Sequence, residues 1–386
     1  MMQQKQHTGT GRGGQAEYAI PTLPLKHDLE TREVMRLVSR SGRKLAELRG
    51  LVHTIPNEAI LINTLALQEA QDSSEVENII TTRDDLYREG AGLGEGLGRV
   101  AAKEVMNYRE ALLAGFADVR ETGLLTLKTI KDVQRHLEHN DAGFRSVPGT
   151  VLRQNDGQEV YTPPQDYEEI CRHMGNLEQF INDSDLCDSD PLIKMAVIHH
   201  QFESIHPFYD GNGRTGRIVQ ILYLVSANLL DIPVLYLSRY INHNKARYYG
   251  LIQAIRDKGE DNRQEWVDWV SFMLEGVEET ATDAIALVNG ISGLMGEFKQ
   301  VLRPLFGRQY SHELLNNLFF HPYTKIEFVE RAMQVGRRAA AGYLEKIVDA
   351  GLLKKVRLGA SNYYVNTRLT SLLAGEYVPK DAGSDT

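Results

Sequence analysis

The chain has almost none of the residues that staple small extracellular proteins. Of its 386 residues only Cys171 and Cys187 carry thiols, and neither stands at metal-ligand spacing. A disulfide framework and a Cys-rich zinc site are excluded, and a reducing, cytoplasmic setting is expected. No apolar run approaches the roughly 18 residues of a spanning helix, so no membrane partner is expected. The opening stretch, MMQQKQHTGTGRGGQ, has no apolar segment and does not read as a secretory signal. Positive charge is also short: 43 Lys and Arg face 52 Asp and Glu, a net −9. That balance argues against a chain that coats nucleic acid or an anionic membrane along its length. No internal repeat with a period of about 20–50 residues is present. What the sequence does have is 42% hydrophobic and 25% charged residues, a globular balance with material for two or three domains.

Helical periodicity dominates. Residues 28–51 place Val34, Leu37, Leu45 and Leu48 on one helical face, and 57–71, 99–116 and 126–138 read as further helices. The exception is 149–164, where β-branched and aromatic residues flank Asn155-Asp156-Gly157, a strong hairpin signal closed by Pro163-Pro164. With no third strand nearby, this hairpin should be an exposed flap. Helices resume at Asp190-Pro191, an N-cap followed by proline at the first helical position, and run to His206-Pro207. An apolar helix then starts near Gly213. Towards the end, Thr324 to Glu327 reads as a capping box, Gly336 breaks the helix it opens, and a second helix covers 337–350. Two strands around Gly359-Ala360-Ser361 complete the order of a winged helix-turn-helix. Residues 311–370 carry nine Lys and Arg against five Asp and Glu, so this piece is +4 and the remainder −13. The glycine run 90–98 lacks nucleotide-fingerprint spacing and reads as a linker. The expected organisation is a flexible leader (1–16), an N-terminal helical region (17–120), a core (121–305), a winged helix (306–373) and a flexible tail (374–386).

The densest chemistry lies in HPFYDGNGRTGR, residues 206–217. Gly211 and Gly213 flank Asn212 immediately before a helix, and glycine torsions let successive N–H groups turn inward as an anion nest. The helix start adds free N–H donors and the positive end of its dipole. Arg214 and Arg217, three apart in the first turn, bring two guanidinium forks to phosphate oxygens. Asp210 offers a hard oxygen ligand for Mg²⁺, and His206 a base that titrates near neutrality. Singly, each piece has an ordinary structural reading; in this order they compose a phosphotransfer site. His199 and His200, without carboxylate or Cys at close spacing, read as structural.

This stretch resembles, without a mismatch, the signature His-x-Phe-x-Asp/Glu-Gly-Asn-Gly-Arg-x-x-Arg of the Fic (Fido) family. NYREAL before the hairpin and RYYGL after the motif extend the resemblance. It implies a mainly α fold: a Fic-type helical bundle with a hairpin flap and a C-terminal winged helix. The implied activity is Mg²⁺-dependent transfer of AMP from ATP to a Ser, Thr or Tyr hydroxyl of a target protein. By resemblance, His206 is the general base and Asp210 the metal ligand. Asn212 and the Gly211 and Gly213 amides cradle the α-phosphate, and Arg214 and Arg217 bind the outer phosphates. Thr215 and Gly216 fall within the same ATP-binding stretch, and Phe208 is an apolar anchor that fixes His206.

Ser73-Ser-Glu-Val-Glu77-Asn78 resembles the family's inhibitory motif, Ser/Thr-x-x-x-Glu-Gly/Asn. That resemblance implies Glu77 pairing with Arg217 in the γ-phosphate's place; Ser73 and Glu77, at i and i+4, share a helix face. The alternative is that Ser74 and Glu77 form a capping box. Whether the same glutamate also supports AMP removal is left open, as are phosphocholine or UMP donors. Tyr248 and Tyr249 match positions lining the adenine and ribose pocket, with a core Tyr pair as the other reading of Tyr248. Val151, Leu152 and Tyr161 of the flap are expected to clamp the target side chain while the hairpin adds a strand to it. A homodimer fits the family, though no local residue requires one. A second function class remains: a winged-helix DNA-binding regulator with a nucleotide sensor. Arg337, Arg338, Lys346, Lys354, Lys355 and Arg357 would meet phosphates, although Ala339, Ala340 and Ala341 leave little to read bases.

Overall fold

The computed structural model describes residues 18–82, 85–86, 98–153, 157–259, 261–358 and 361–375. The leader, the glycine run before Gly98, the hairpin tip Asn155-Asp156, Gly359-Ala360 and the tail beyond Gly375 lie outside the described residues. In chain order the elements begin with α1 (Arg32–Val52), α2 (Glu58–Val76), α3 (Gly98–Thr122) and α4 (Leu127–Glu138). The hairpin β1 (Leu152–Arg153) and β2 (Glu159–Tyr161) follows, then α5 (Tyr167–Asn182), α6 (Pro191–Ile205) and α7 (Asn212–Ser226). Next come α8 (Leu237–His243), α9 (Lys245–Lys258) and α10 (Arg263–Phe306). The C-terminal part holds α11 (His312–Phe320), β3 (Tyr323–Thr324), α12 (Ile326–Met333), α13 (Arg337–Asp349), β4 (Lys354–Leu358), β5 (Ser361–Val365) and α14 (Thr367–Leu373). The fold is mainly helical, as the sequence predicts.

The helices form where the pattern and caps direct. Thr31 accepts from the Val34 N–H at the start of α1, which buries Val34, Val38, Leu45 and Leu48 and packs along α10. Asp190 caps α6 with proline at its first position. The centre of the core is the pair α6 and α7, both buried over nearly their whole length, so the bend 206–211 between them rests on a rigid support. Phe208 is fully buried against Phe144 and Phe202, the anchor expected of it.

Two local expectations are corrected. Thr324 opens no capping box: it sits in strand β3, paired with Tyr364, and donates to the Asn317 side chain, while α12 starts after Lys325 without a side-chain cap. Tertiary strand pairing overrides the local capping pattern there. Ser74 and Glu77 form no capping box either, because they end α2 rather than begin a helix. The C-terminal sheet gains a strand from this rearrangement, in the order β3-β5-β4, behind the α12–turn–α13 pair. That unit also touches α2, where Asn63 donates to the Phe320 carbonyl at 2.8 Å and Gln68 to the Leu373 carbonyl at 2.6 Å. No helix among the described residues is long and apolar enough to cross a membrane.

Candidate active site

The bend is held by its own amide. Asn212 accepts from the Phe208 N–H at 2.8 Å and donates to the Phe208 carbonyl at 2.9 Å. Its side chain therefore builds the loop, and what it can present to a phosphate is backbone, a correction to the expectation that its side chain cradles one. Gly211 takes φ +75°, a torsion that favours glycine, and its N–H donates to Asp210 Oδ1 at 2.7 Å. No side chain caps the start of α7, so its first N–H groups are left for a ligand.

A carboxylate lies over that start. A Cβ built on Gly213 would stand 2.3 Å from Glu77 Oε1 and 3.1 Å from Arg217 Nη1. Arg217, 2% exposed, donates to Glu77 Oε1 at 2.8 Å, to the Ser73 hydroxyl at 2.8 Å and to the Ser73 carbonyl at 2.9 Å. Burial pushes the Glu77 carboxyl up, but the Arg217 guanidinium, with Arg214 and Lys245 behind it, holds the group below the usual carboxylate range. Asn78 ends α2 with φ +62°, a left-handed torsion open to glycine and asparagine, and accepts from Lys245 at 3.0 Å. Ser73 and Glu77 thus contact Arg217 of the motif, while Asn78 reaches Lys245 instead.

Arg214 turns elsewhere: it pairs with Glu138 at 2.9 Å and Glu104 at 3.2 Å. The Glu138 carboxylate covers Gly211, where a Cβ would meet it at 2.3 Å; burial, with Asp210 and Glu104 nearby, raises its pKa against the pull of Arg214. Asp210 is exposed at the lip. His206 caps α6 in a left-handed conformation, φ 49° and ψ 59°. Its imidazole, partly exposed, is pushed down to about 3 by burial and by the Arg256 and Arg145 cations, so it is neutral at physiological pH.

Several expected ligand contacts are displaced. Tyr248 is buried, its hydroxyl 2.7 Å from His199 Nε2 and its ring beside Trp269, so it belongs to the core rather than to an adenine pocket. Tyr249 is 45% exposed and close enough to feel the charges of Glu77 and Arg217, which keeps it at the site. Thr215 is fully buried and Gly216 packs on Phe202 and Glu203, so neither side faces the cradle. In the flap, Leu152 pairs with Tyr161, and Val151 and Leu152 are half-buried. Tyr161 is no clamp: its ring lies under Arg256 and its hydroxyl donates to the Ser204 carbonyl at 2.9 Å. His199 and His200 are core residues, as read from the sequence.

The sequence reading missed Glu138, Glu104 and Glu203. Glu138 had a signal: an acid in a last helical turn opposes the dipole and wants a cation. Glu203, three residues before His206, has a buried Oε1 without a hydrogen-bond partner and is pushed up to about 7, chiefly by burial. No local pattern marks it.

Together these features make an uncapped helix start and a buried guanidinium with the Glu77 carboxylate lying over them. The sequence matches three family descriptions in succession: "Fic/DOC family N-terminal" over 35–117, "Fic/DOC family" over 124–224, and "Protein adenylyltransferase SoFic-like, C-terminal domain" over 294–369. The chain belongs to the Fic/DOC family. Relatives include proteins named protein adenylyltransferase Fic from Aedes aegypti, 25% identical over 56% of this chain and 39% of that protein, and from Drosophila melanogaster, 26% identical over 55% and 40%. The chain thus spans about two fifths of the length of these curated relatives. Among solved structures, a Fic family protein from Desulfovibrio desulfuricans shares the fold with TM-score 0.54 at 19% identity, covering 87% of this chain and 96% of that one. A Fic domain-containing signaling protein from Bacteroides thetaiotaomicron follows with TM-score 0.51 at 18% identity, covering 67% and 97%.

Proposed function

We propose that this chain is a protein adenylyltransferase that moves AMP from ATP to a hydroxyl of a target protein and is held at low activity by Glu77. The observation that carries the reading is the Glu77 carboxylate seated over Gly213 on buried Arg217. An anion-seeking helix start and a buried guanidinium are there filled by a group that a nucleotide's outer phosphate can replace.

In the proposed step the target hydroxyl oxygen attacks the α-phosphorus, the bond to pyrophosphate breaks, and the hydroxyl proton passes to the neutral imidazole of His206. The His206 imidazole is starved of charge by Arg145 and Arg256; an incoming triphosphate adds negative charge and raises its basicity. Backbone N–H groups at the start of α7 meet the charge that develops on the α-phosphate oxygens. Arg217 takes the outer phosphates once Glu77 withdraws. Arg214, tied to Glu138 and Glu104, joins it only by exchanging those partners. Asp210 suits Mg²⁺, since its exposed carboxylate keeps one oxygen clear of the Gly211 N–H; the ion would supply charge neutralisation to the phosphates. In the C-terminal unit, Arg337 faces Glu327 and Glu330, and Lys355 is bound by Glu345. Those pairs favour protein docking over phosphate contact with DNA.

The test is transfer of label from [α-³²P]ATP with MgCl₂ to the protein itself, comparing Glu77→Gly with Glu77→Gly/His206→Ala. Label in the first and none in the second is the expected outcome; equal label would remove His206 from the reaction.

A further inference from the structure

We infer that Arg145 and Arg256 are positioning residues for His206, and that they tie the flap hairpin to it. The inference rests on the adenylyltransferase reading for the base's task but not for its geometry. A helix end leaves carbonyls without intrahelical partners, and the end of α6 is the place where His206 must be held in a left-handed torsion that a non-glycine side chain resists. Every carbonyl from 202 to 207 has a partner. Phe202 accepts from the His206 N–H at 2.9 Å, and Glu203 from Arg256 Nη2 at 3.1 Å. Ser204 accepts from the Tyr161 hydroxyl at 2.9 Å, and Ile205 from Arg145 Nη2 at 3.4 Å. His206 accepts from Arg145 Nε at 2.8 Å, and Pro207 from the Arg145 backbone N–H at 2.8 Å.

Both guanidinium groups are buried, at 1% and 6% exposure, and no carboxylate oxygen pairs with either among the described residues. Their counter-charge is the negative end of the α6 dipole, joined at Arg256 by the nearby Glu203 carboxyl. The same two groups reach the hairpin. Arg145 donates to the Pro164 carbonyl where β2 has ended, and Arg256 stands 3.9 Å over the Tyr161 ring within β2. A target strand that shifts β2 would therefore be felt at the backbone of the base, two hydrogen bonds away.

The test uses full-length protein in a Glu77→Gly background, with Arg145→Lys, Arg256→Met and Tyr161→Phe. Expected for Arg145→Lys is a fall in kcat of roughly 10–100-fold, the scale of a small misplacement of a catalytic group, with KM for ATP within about twofold. Tyr161→Phe, which removes one hydroxyl and no charge, is expected to lower kcat several-fold and keeps the test alive if an arginine variant fails to fold. In ¹⁵N-histidine NMR the His206 ring should stay neutral to about pH 5 in the parent. It should protonate at higher pH in Arg256→Met, because removing a nearby cation raises a histidine pKa. Unchanged kcat in Arg145→Lys and Tyr161→Phe overturns the inference, as does an Arg256→Met chain whose rate falls while its His206 titration stays at the parent's pH. The titration needs no transfer activity, so a chain that proves unable to move AMP would sink the functional reading while leaving this inference to be judged on the NMR alone.

Discussion

Arg214 and Arg217 begin the same helix three residues apart, yet they are neutralised by different elements of the fold. Arg217 is paired by the end of α2, through Ser73 and Glu77. Arg214 is paired by α3 and α4, through Glu104 and Glu138. The Glu77 partner keeps 36% of its side chain in solvent; of the two partners of Arg214, Glu138 keeps 14% and Glu104 38%. One clamp is thus the tip of a helix with a left-handed stop behind it; the other belongs to the walls of the bundle. Two arginines of one motif are therefore not one site. In the proposed reading Glu77 regulates through Arg217, whereas Arg214 is held by the bundle walls until Glu138 and Glu104 release it.

The largest expected effect is loss of the base: His206→Ala should lower transfer in the Glu77→Gly background by about 10²–10⁴-fold, read as initial rates of label incorporation. Next, Glu77→Gly should tighten ATP binding on the order of 10-fold or more by calorimetry, because it vacates the seat over Gly213. The same variant should lose stability on the order of 1–3 kcal/mol without nucleotide, at the low end for a partly exposed partner of a buried cation, and recover it with ATP. Glu138→Gln should change ATP affinity by less than about threefold; an effect as large as that of Glu77→Gly would erase the contrast between the two clamps. Ser73→Ala should raise self-modification only several-fold, since it removes one hydrogen bond worth roughly 1 kcal/mol.

A pH effect away from the site sharpens the picture of α2. Glu69, buried on that helix, accepts hydrogen bonds from Tyr108 and Ser238, and burial pushes its carboxyl from 4.5 up to about 8. The folded chain keeps this proton between those values while the unfolded chain loses it. Stability is therefore fully present below about 4.5 and falls as pH rises to about 8, by an order of a few kcal/mol. Glu69→Gln should flatten that slope in urea unfolding at about pH 5 and pH 8; an unaltered slope would show that another group sets it.

Much of this was legible because the chemistry is contiguous. The bend 206–217 is one segment, so glycine, arginine and histidine spacing translate directly into a loop and a first helical turn. Ser73 and Glu77 are likewise local, one turn apart. What could not be read is what depends on distant packing. Arg145 and Arg256 meet the end of α6 from 61 residues before His206 and 53 residues after Glu203, and nothing in their neighbourhoods marks them. Tyr161 and Tyr248 look like binding aromatics until the fold turns them inward. The 44-residue α10 contains Gly290, which the structure uses for contact, since a Cβ there would meet Leu372 at 2.7 Å.

The most direct measurement is a side-by-side intact-mass time course of the native chain and Glu77→Gly with ATP and MgCl₂. The variant should gain adenylyl groups at least about tenfold faster, as release of an anion bound to a buried arginine implies. Equal rates, or an added mass other than AMP, would contradict the proposed reading.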